Sequence, residues 1–401
     1  MFNAANTGFM LLAASLVMLM TPGLAFFYGG LVGRSNTLTI MIQSFASMGI
    51  TTVLWWLVGY SLCFSGGADG IFGNFHLAFL RHVEPGSIYA PSGIPVTVLI
   101  AYQMMFAIIT PALITGAFTN RVTFKAYLLF LIVWQLFVYY PFVHMLWGGG
   151  LLAVWGAHDF AGGIVVHASA GFAALASVLF VGQRRSADSP HNIPFIALGT
   201  GLLWFGWYGF NAGSELKVDD ITAIAFLNTD LAASFAAVTW LFIEWWHAKK
   251  PHFVGLLTGA VAGLATITPA AGFIPIYASV VIGIAAGAVC YLAIQLKQRM
   301  RWDDALDVWG VHGVGGLLGI ILLGVFADTA VNTAGAKGLI HGSGAFFGKQ
   351  VAAGVGCSLY AFLFTYVMLK AINVVTPVRV TDAAQETGLD EHLHGETAYV
   401  M

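Results

Sequence analysis

Residues 8–31 read GFMLLAASLVMLMTPGLAFFYGGL, an apolar run with no charged residue. A helix needs about 20 such residues to cross a hydrocarbon core, so this stretch is long enough to span a membrane. The same texture recurs from Gly8 to Ile372. Of the 401 residues, 59% are hydrophobic and only 8% are Asp, Glu, Lys or Arg, with a mean hydropathy of +0.83. A soluble domain carries roughly 25% charged residues, so this composition does not cover a water-exposed surface. Strict alternation of apolar and polar residues is absent, which argues against an outer-membrane barrel.

Punctuation by polar, Gly and Pro residues predicts eleven spans, near 8–31, 39–64, 96–119, 124–142, 161–182, 194–213, 220–247, 252–268, 274–297, 308–327 and 346–372. The expected fold is an all-α polytopic membrane domain over 1–372, followed by a polar tail, 373–401. With the N-terminus outside, twelve of the sixteen Lys/Arg fall on the inner side: Arg34, Arg121, Lys125, Arg184, Arg185, Lys249, Lys250, Lys297, Arg299, Arg301, Lys370 and Arg379. Only Arg81, Lys217, Lys337 and Lys349 fall outside. A missed span would scramble this alternation, so the asymmetry supports both count and orientation and places the C-terminus in the cytoplasm. Residues 1–33 hold no Lys or Arg, so the first run is expected to be a retained span, not a signal peptide.

Cys63, Cys290 and Cys357 sit in or beside apolar runs and read as small buried hydrophobes, with no disulfide framework. No Cys/His spacing suggests a metal, and no cofactor is expected. Net charge is −2 with no basic stripe, so nucleic acid is not an expected partner. Membrane lipid is. The 48 glycines include four-residue repeats at Gly255, Gly259 and Gly263 and at Gly283 and Gly287, which suit close helix packing.

Two spans carry a histidine in a Gly/Ala-rich run that follows an acidic residue. The fifth reads DFAGGIVVHASAG (159–171) and the tenth DVWGVHGVGG (307–316); both contain H-x-x-x-G. At 1.5 Å per residue, His167 lies about 12 Å below Asp159 and His312 about 7 Å above Asp307. The two imidazoles then approach the midplane from opposite faces, as in a five-plus-five inverted repeat. The repeats fall at about 8–182 and 194–327, with 346–372 an extra helix. A lone histidine in an apolar helix is commonly a packing residue, but intramembrane ionisable groups are costly and usually functional. His144 and His158 read as outer-loop residues.

A second constellation lies at the outer ends. Tyr102 and Phe106 share a face at i, i+4. Trp207, Phe210 and Ser214 share another at three- and four-residue spacing, and Trp147 precedes a glycine run. Rings and one hydroxyl suit a compact cation; an interfacial aromatic belt produces the same composition. Asp159, at the start of an inward helix, suits a helix cap and equally a buried anion beneath a cation.

Taken together, these residues resemble the ammonium transporter (Amt/Mep/Rh) family, on its Amt branch. The resemblance rests on Pro22-Gly23 with Phe27-Tyr28-Gly29-Gly30, HMLWGGG (144–150), DFAGGIVVH (159–167), GWYGFNAGS (206–214) and DVWGVHGVGG (307–316). In the tail it rests on Arg379-Val380, Gly388-Leu389-Asp390, His394-Gly395-Glu396 and Ala398-Tyr399. It covers nearly the whole chain.

It implies a homotrimer in the cell (inner) membrane with one pore per subunit. Ammonium would be recruited at Trp147 and Ser214, beside Phe106 and Trp207, with Asp159 in support. Phe106 and Phe210 would gate a pore lined by His167 and His312. Tyr102 stands where relatives often carry Phe, and its hydroxyl is expected to make the vestibule slightly more polar. Methylammonium is a further candidate cargo, and a PII-type regulator a candidate partner of the tail. The connection Gly182–Pro194 reads as short for the family. The rival reading is an ammonium sensor of the same fold, which the lack of an output domain after Met401 disfavours. No nucleophile–base spacing suggests an enzyme, and no carbonyl or carboxylate ring suggests a generic cation channel.

Overall fold

The computed structural model describes residues 1–67, 69–185 and 189–399. Part of the connection Gly182–Pro194, at 186–188, therefore lies outside the described residues. Among the described residues, ten helices are long and apolar enough to cross a membrane. They are α1 (Ala4–Leu31), α2 (Arg34–Phe64), α3 (Val96–Phe118), α4 (Phe124–Trp155), α5 (Gly163–Val181), α6 (Ile193–Glu215), α7 (Asp220–Ala248), α9 (Ile276–Arg299), α10 (Trp309–Phe326) and α11 (Gly344–Val375). The shorter α8 (Phe253–Ile267) occupies the predicted eighth span. Its first end lies beside Glu244, which lodges over Gly255. Its last end reaches the loop where Pro269 accepts a hydrogen bond from the Phe160 amide. Outward faces carry Phe242, Leu292, Leu359 and Val367 in the open, as a lipid-facing surface requires. The molecule is a multi-pass membrane protein.

Connections that the charge alternation assigns to one side do meet. Arg121 and Arg184 both engage Asp303, and Arg379 donates to the carbonyls of Val181 and Gln183. On the opposite end, Asn6 Nδ2 donates to Ser92 O at 2.6 Å while its Oδ1 accepts from Val218 N at 3.0 Å. The residues at 88–95 there form a small hairpin, β1 (Ile88–Tyr89) with β2 (Ile94–Pro95). The basic end also holds the tail. The Asp390 carboxylate accepts from Leu38 N at 3.0 Å and Thr39 N at 2.7 Å, capping α2 as an acidic N-terminal residue does. A short helix, α12 (Asp382–Thr387), lies before it.

Two helix pairs cross without room for side chains. Any Cβ on Gly171 would fall 2.0 Å from Gly313 N, and one on Gly316 would fall 2.7 Å from Ala168 N. Gly163 meets Ile320 further along. As one chain advances the other retreats, so α5 and α10 are antiparallel, and each glycine of H-x-x-x-G packs against the residue after the other histidine. Helices α1 and α6 repeat the arrangement. A Cβ on Gly199 would lie 2.2 Å from Phe27 N and one on Gly206 would lie 2.7 Å from Leu16 O. In both pairs a helix crosses the one five places on, as an inverted repeat places them.

Both α5 and α10 open with a wide π turn, Gly163–Ala168 and Trp309–Val314, which carries the histidine. Such turns recur at functional sites because they re-aim side chains.

The crossing makes a prediction. Gly171→Ala forces overpacking worth about 1–3 kcal/mol and lowers the melting midpoint in detergent by several degrees, read by size exclusion after heating. Gly201→Ala, with nothing within 4 Å of its Cβ, holds or raises the midpoint, since alanine is the better helix former.

Candidate functional site

The helix ends and π turns enclose three cavities in succession. The first, about 390 Å³ at the aromatic mouth, is lined by Tyr60, Phe64, Phe106, Trp147, Phe160 and Ser214 among others. The second is a tube barely large enough for one water, about 10 Å³, walled by Phe27, Leu203, Trp207, Phe210, His167 and His312. The third, about 200 Å³ at the basic end, begins at His312 and includes Tyr28, Val261 and Asp307.

At the mouth, α4 breaks at Trp147–Gly150 before a last turn, Leu151–Trp155, and the break exposes the Trp147 ring to the cavity. Trp147 Nε1 donates to the Asp159 carbonyl at 2.8 Å. Ser214 donates to Phe210 O at 2.8 Å, which commits its proton and leaves its oxygen as an acceptor. Phe106 stands edge-on to Trp147, with centroids 5.8 Å apart, and lies 4.1 Å from Phe210. That close pair separates the mouth from the tube.

Below it the imidazoles of His167 and His312 meet Nδ1 to Nδ1 at 3.2 Å. Such a contact needs one N–H and one lone pair, so the two rings hold opposite tautomers when neutral. One Nε2 is then an acceptor and the other a donor. His167 Nε2 is enclosed without a protein partner among the described residues.

Asp159 resolves in geometry. Its carboxylate accepts from the amides of Gly162, Gly163, Ile164 and Val165, at 2.6–3.1 Å. The free N–H groups of the first turn account for every hydrogen bond of the carboxylate among the described residues. Through its carbonyl the same residue holds Trp147.

Its counterpart is not the acid read from the sequence. Asp307, taken there as the residue that opens the tenth span, sits at φ +60 and pairs with Lys297 Nζ at 2.5 Å. The buried Asp304 instead accepts from Trp309 N at 2.7 Å. Asp159 and Asp304 each stand eight residues before their histidine, a spacing that was available to find it. Burial pushes the Asp304 carboxyl up to about 6 from 3.8.

Tyr102 also differs from expectation. Its hydroxyl is buried and donates to the carbonyls of Gly209 and Phe210, within 3.3 Å of Ser214 Oγ. It braces Ser214 and adds no polarity to the mouth. Trp207 lies beside His167, centroids 5.4 Å apart, with its Nε1 held by Thr268 Oγ1 at 2.9 Å; it walls the tube, not the mouth. His144, read as a loop residue, is buried in α4 and contacts Cys63 O at 2.9 Å. His158 does lie in the connection before α5, where burial lowers its basicity. The tube's aliphatic walls, Leu203 and Val261, carried no signal beyond hydrophobicity.

The fold and site define a polytopic membrane protein with a narrow, histidine-lined tube between two cavities. The model of the Ammonium Transporter Family matches residues 8–399, and the chain belongs to that family. It is 45% identical over 399 residues to an "Ammonium transporter" of Bacillus subtilis, covering 98% of each chain. It is 42% identical to "Ammonium transporter Amt1" of Archaeoglobus fulgidus, covering 98% of this chain and 99% of that one. Among solved structures, Candida albicans Mep2 is 34% identical with a TM-score of 0.90, over 95% of this chain and 87% of that chain. A "Sensor Amt Protein" is 27% identical with a TM-score of 0.89, over 97% of this chain and 98% of that one.

Asp304 makes a pH prediction. A buried acid whose folded pKa is raised stabilises the fold below its unfolded pKa of 3.8 and loses that contribution as pH rises through about 6. The margin of Asp304→Asn over the parent therefore grows between pH 4 and 7, by up to about 3 kcal/mol at about 1.4 per unit. Parallel thermal melts in detergent measure it.

Proposed function

We propose that the protein transports ammonium across the cell membrane, recruiting NH4+ at the aromatic mouth, removing its proton near Phe106 and Phe210, and passing NH3 along His167 and His312. The observation that carries this reading is the closed ring pair directly above two touching imidazoles in a tube of about 10 Å³.

Desolvating a bare monovalent ion in such a tube costs tens of kcal/mol in the Born limit. A cation–π contact returns only about 0.5–2 kcal/mol per ring. The mouth therefore selects and holds the cation but does not carry it through. Ammonium escapes the penalty by losing a proton, and neutral NH3 finds one donor and one acceptor in the histidine pair. In the mouth Ser214 Oγ accepts an N–H of the ion while the rings of Phe106 and Trp147 face its charge. Asp159 and Tyr102 position Trp147 and Ser214. The released proton either returns to water in the mouth, giving electroneutral conduction, or follows along the Nδ1–Nδ1 contact as a relay, giving electrogenic transport.

In this reading the aromatic mouth faces outward, the basic end inward, and the subunits form a homotrimer. The tail packed across the basic end is then the surface a PII-type regulator meets.

Proteoliposomes test the assignment. Ser214→Ala raises the half-saturating ammonium concentration roughly tenfold, the worth of a hydrogen bond to a charged group, and leaves maximal flux nearly intact. His167→Ala lowers maximal flux instead. No ammonium-dependent flux or current in the parent overturns the transport reading, and retained ammonium binding alongside that result favours the sensor.

A further inference from the structure

The basic end of the tube has a side recess. Beside the chamber that receives the tube lies a larger cavity, about 430 Å³, formed by the ends of α7, α8 and α9. Val254, Thr258 and Asp307 stand in the walls of both, so a solute leaving His312 passes directly beside it. Nothing in the proposed transport step uses this cavity.

Its chemistry is that of a cation receptor. Glu244 lines it, and its Oε1 contacts His252 Nδ1 at 3.1 Å. The other oxygen, Oε2, is enclosed and has no hydrogen-bond donor among the described residues. A buried acceptor left unpaired is costly, and a carboxylate oxygen more so. Oε2 itself packs against Gly255, where any Cβ would stand 1.6 Å away, so Glu244 meets the recess through the rest of its side chain, which is 21% exposed.

Trp240 and Tyr291 supply two nearly buried aromatic walls, perpendicular with centroids 5.5 Å apart. Tyr291 is fixed by His247 Nδ1 at 3.1 Å from its hydroxyl. The second acid of the recess, Asp307, is already neutralised by Lys297 Nζ at 2.5 Å. Glu244, paired with His252 alone, therefore remains as the anion without a Lys or Arg partner among the described residues. The ligand that answers a carboxylate with no Lys or Arg partner among the described residues, in a recess walled by two aromatic rings, is a compact cation with N–H bonds to give.

We propose that this recess binds an ammonium-type cation at the basic end, with Glu244 as counter-charge and Trp240 and Tyr291 as walls. The inference rests on the transport reading above and assigns that path a second cation site. An ion offered from the basic end is concentrated beside the tube, as the mouth does at the other end.

The test uses the full-length protein in vesicles, with ammonium offered to one end at a time. Glu244→Gln keeps the shape and the contact with His252 but removes the charge. It raises the half-saturating ammonium concentration at least fivefold for flux started from the basic end and leaves the value from the aromatic mouth unchanged. Trp240→Leu keeps the carboxylate and gives the same one-sided rise, an independent reading should the first variant misfold. In vesicles of choline lipids alone the shift persists if the occupant is the transported ion. A shift seen only with ethanolamine lipids assigns the recess to the ammonium of a lipid headgroup. Unchanged or equally shifted values from both ends overturn the proposal while transport itself stands. A parent without ammonium flux in either direction removes the transport reading, and the proposal with it.

Discussion

The structure depends on a backbone contact that only glycine permits. Where α5 and α10 cross, Gly171 meets Gly313 and Gly316 meets Ala168 at distances that leave no space for a Cβ. That approach brings the two π turns together, and the turns bring the two imidazoles to 3.2 Å. Without a hydrophobic force between helices in lipid, close packing and satisfied polar groups must hold such a crossing. Asp159 and Asp304 supply the polar part, each accepting from the amides that open a histidine-bearing helix. A narrow tube follows from this geometry, because the helices that converge there leave a gap of about one water.

Much of this was legible in the chain. Apolar runs located the spans, and the basic residues told which connections share a face, as the meeting of Arg121, Arg184 and Arg379 with their partners bears out. The paired H-x-x-x-G runs pointed to the crossing because a glycine one turn after each histidine is what close approach demands. Even the short α8 was read at 252–268, close to its observed Phe253–Ile267.

Other features needed the third dimension. Asp307 is the nearest acid to the tenth span and was taken as its start, yet the polypeptide turns through a left-handed residue there and Asp304 reaches back to the helix. Periodicity places Trp207 and Ser214 on one face, but a face seven residues long passes from tube to mouth. Tyr102 looked like a vestibule hydroxyl because sequence shows the group and not the carbonyls of Gly209 and Phe210 that claim it. His144 read as solvated for the same reason: the wide turn earlier in α4 and the break after it hide the buried register.

On the proposed route the solute passes the rings without its charge, since among the described residues no group in the tube replaces an ion's hydration. Potassium is the sharpest probe, being close to ammonium in size and unable to lose a proton. Flux of potassium and ammonium through the purified protein, measured in the same vesicles under the same gradient, decides the matter. Ammonium flux with no protein-dependent potassium flux is the result expected. Potassium crossing at a comparable rate contradicts the account, because a tube that admits it must solvate an ion that Phe106, Phe210 and the histidine pair do not.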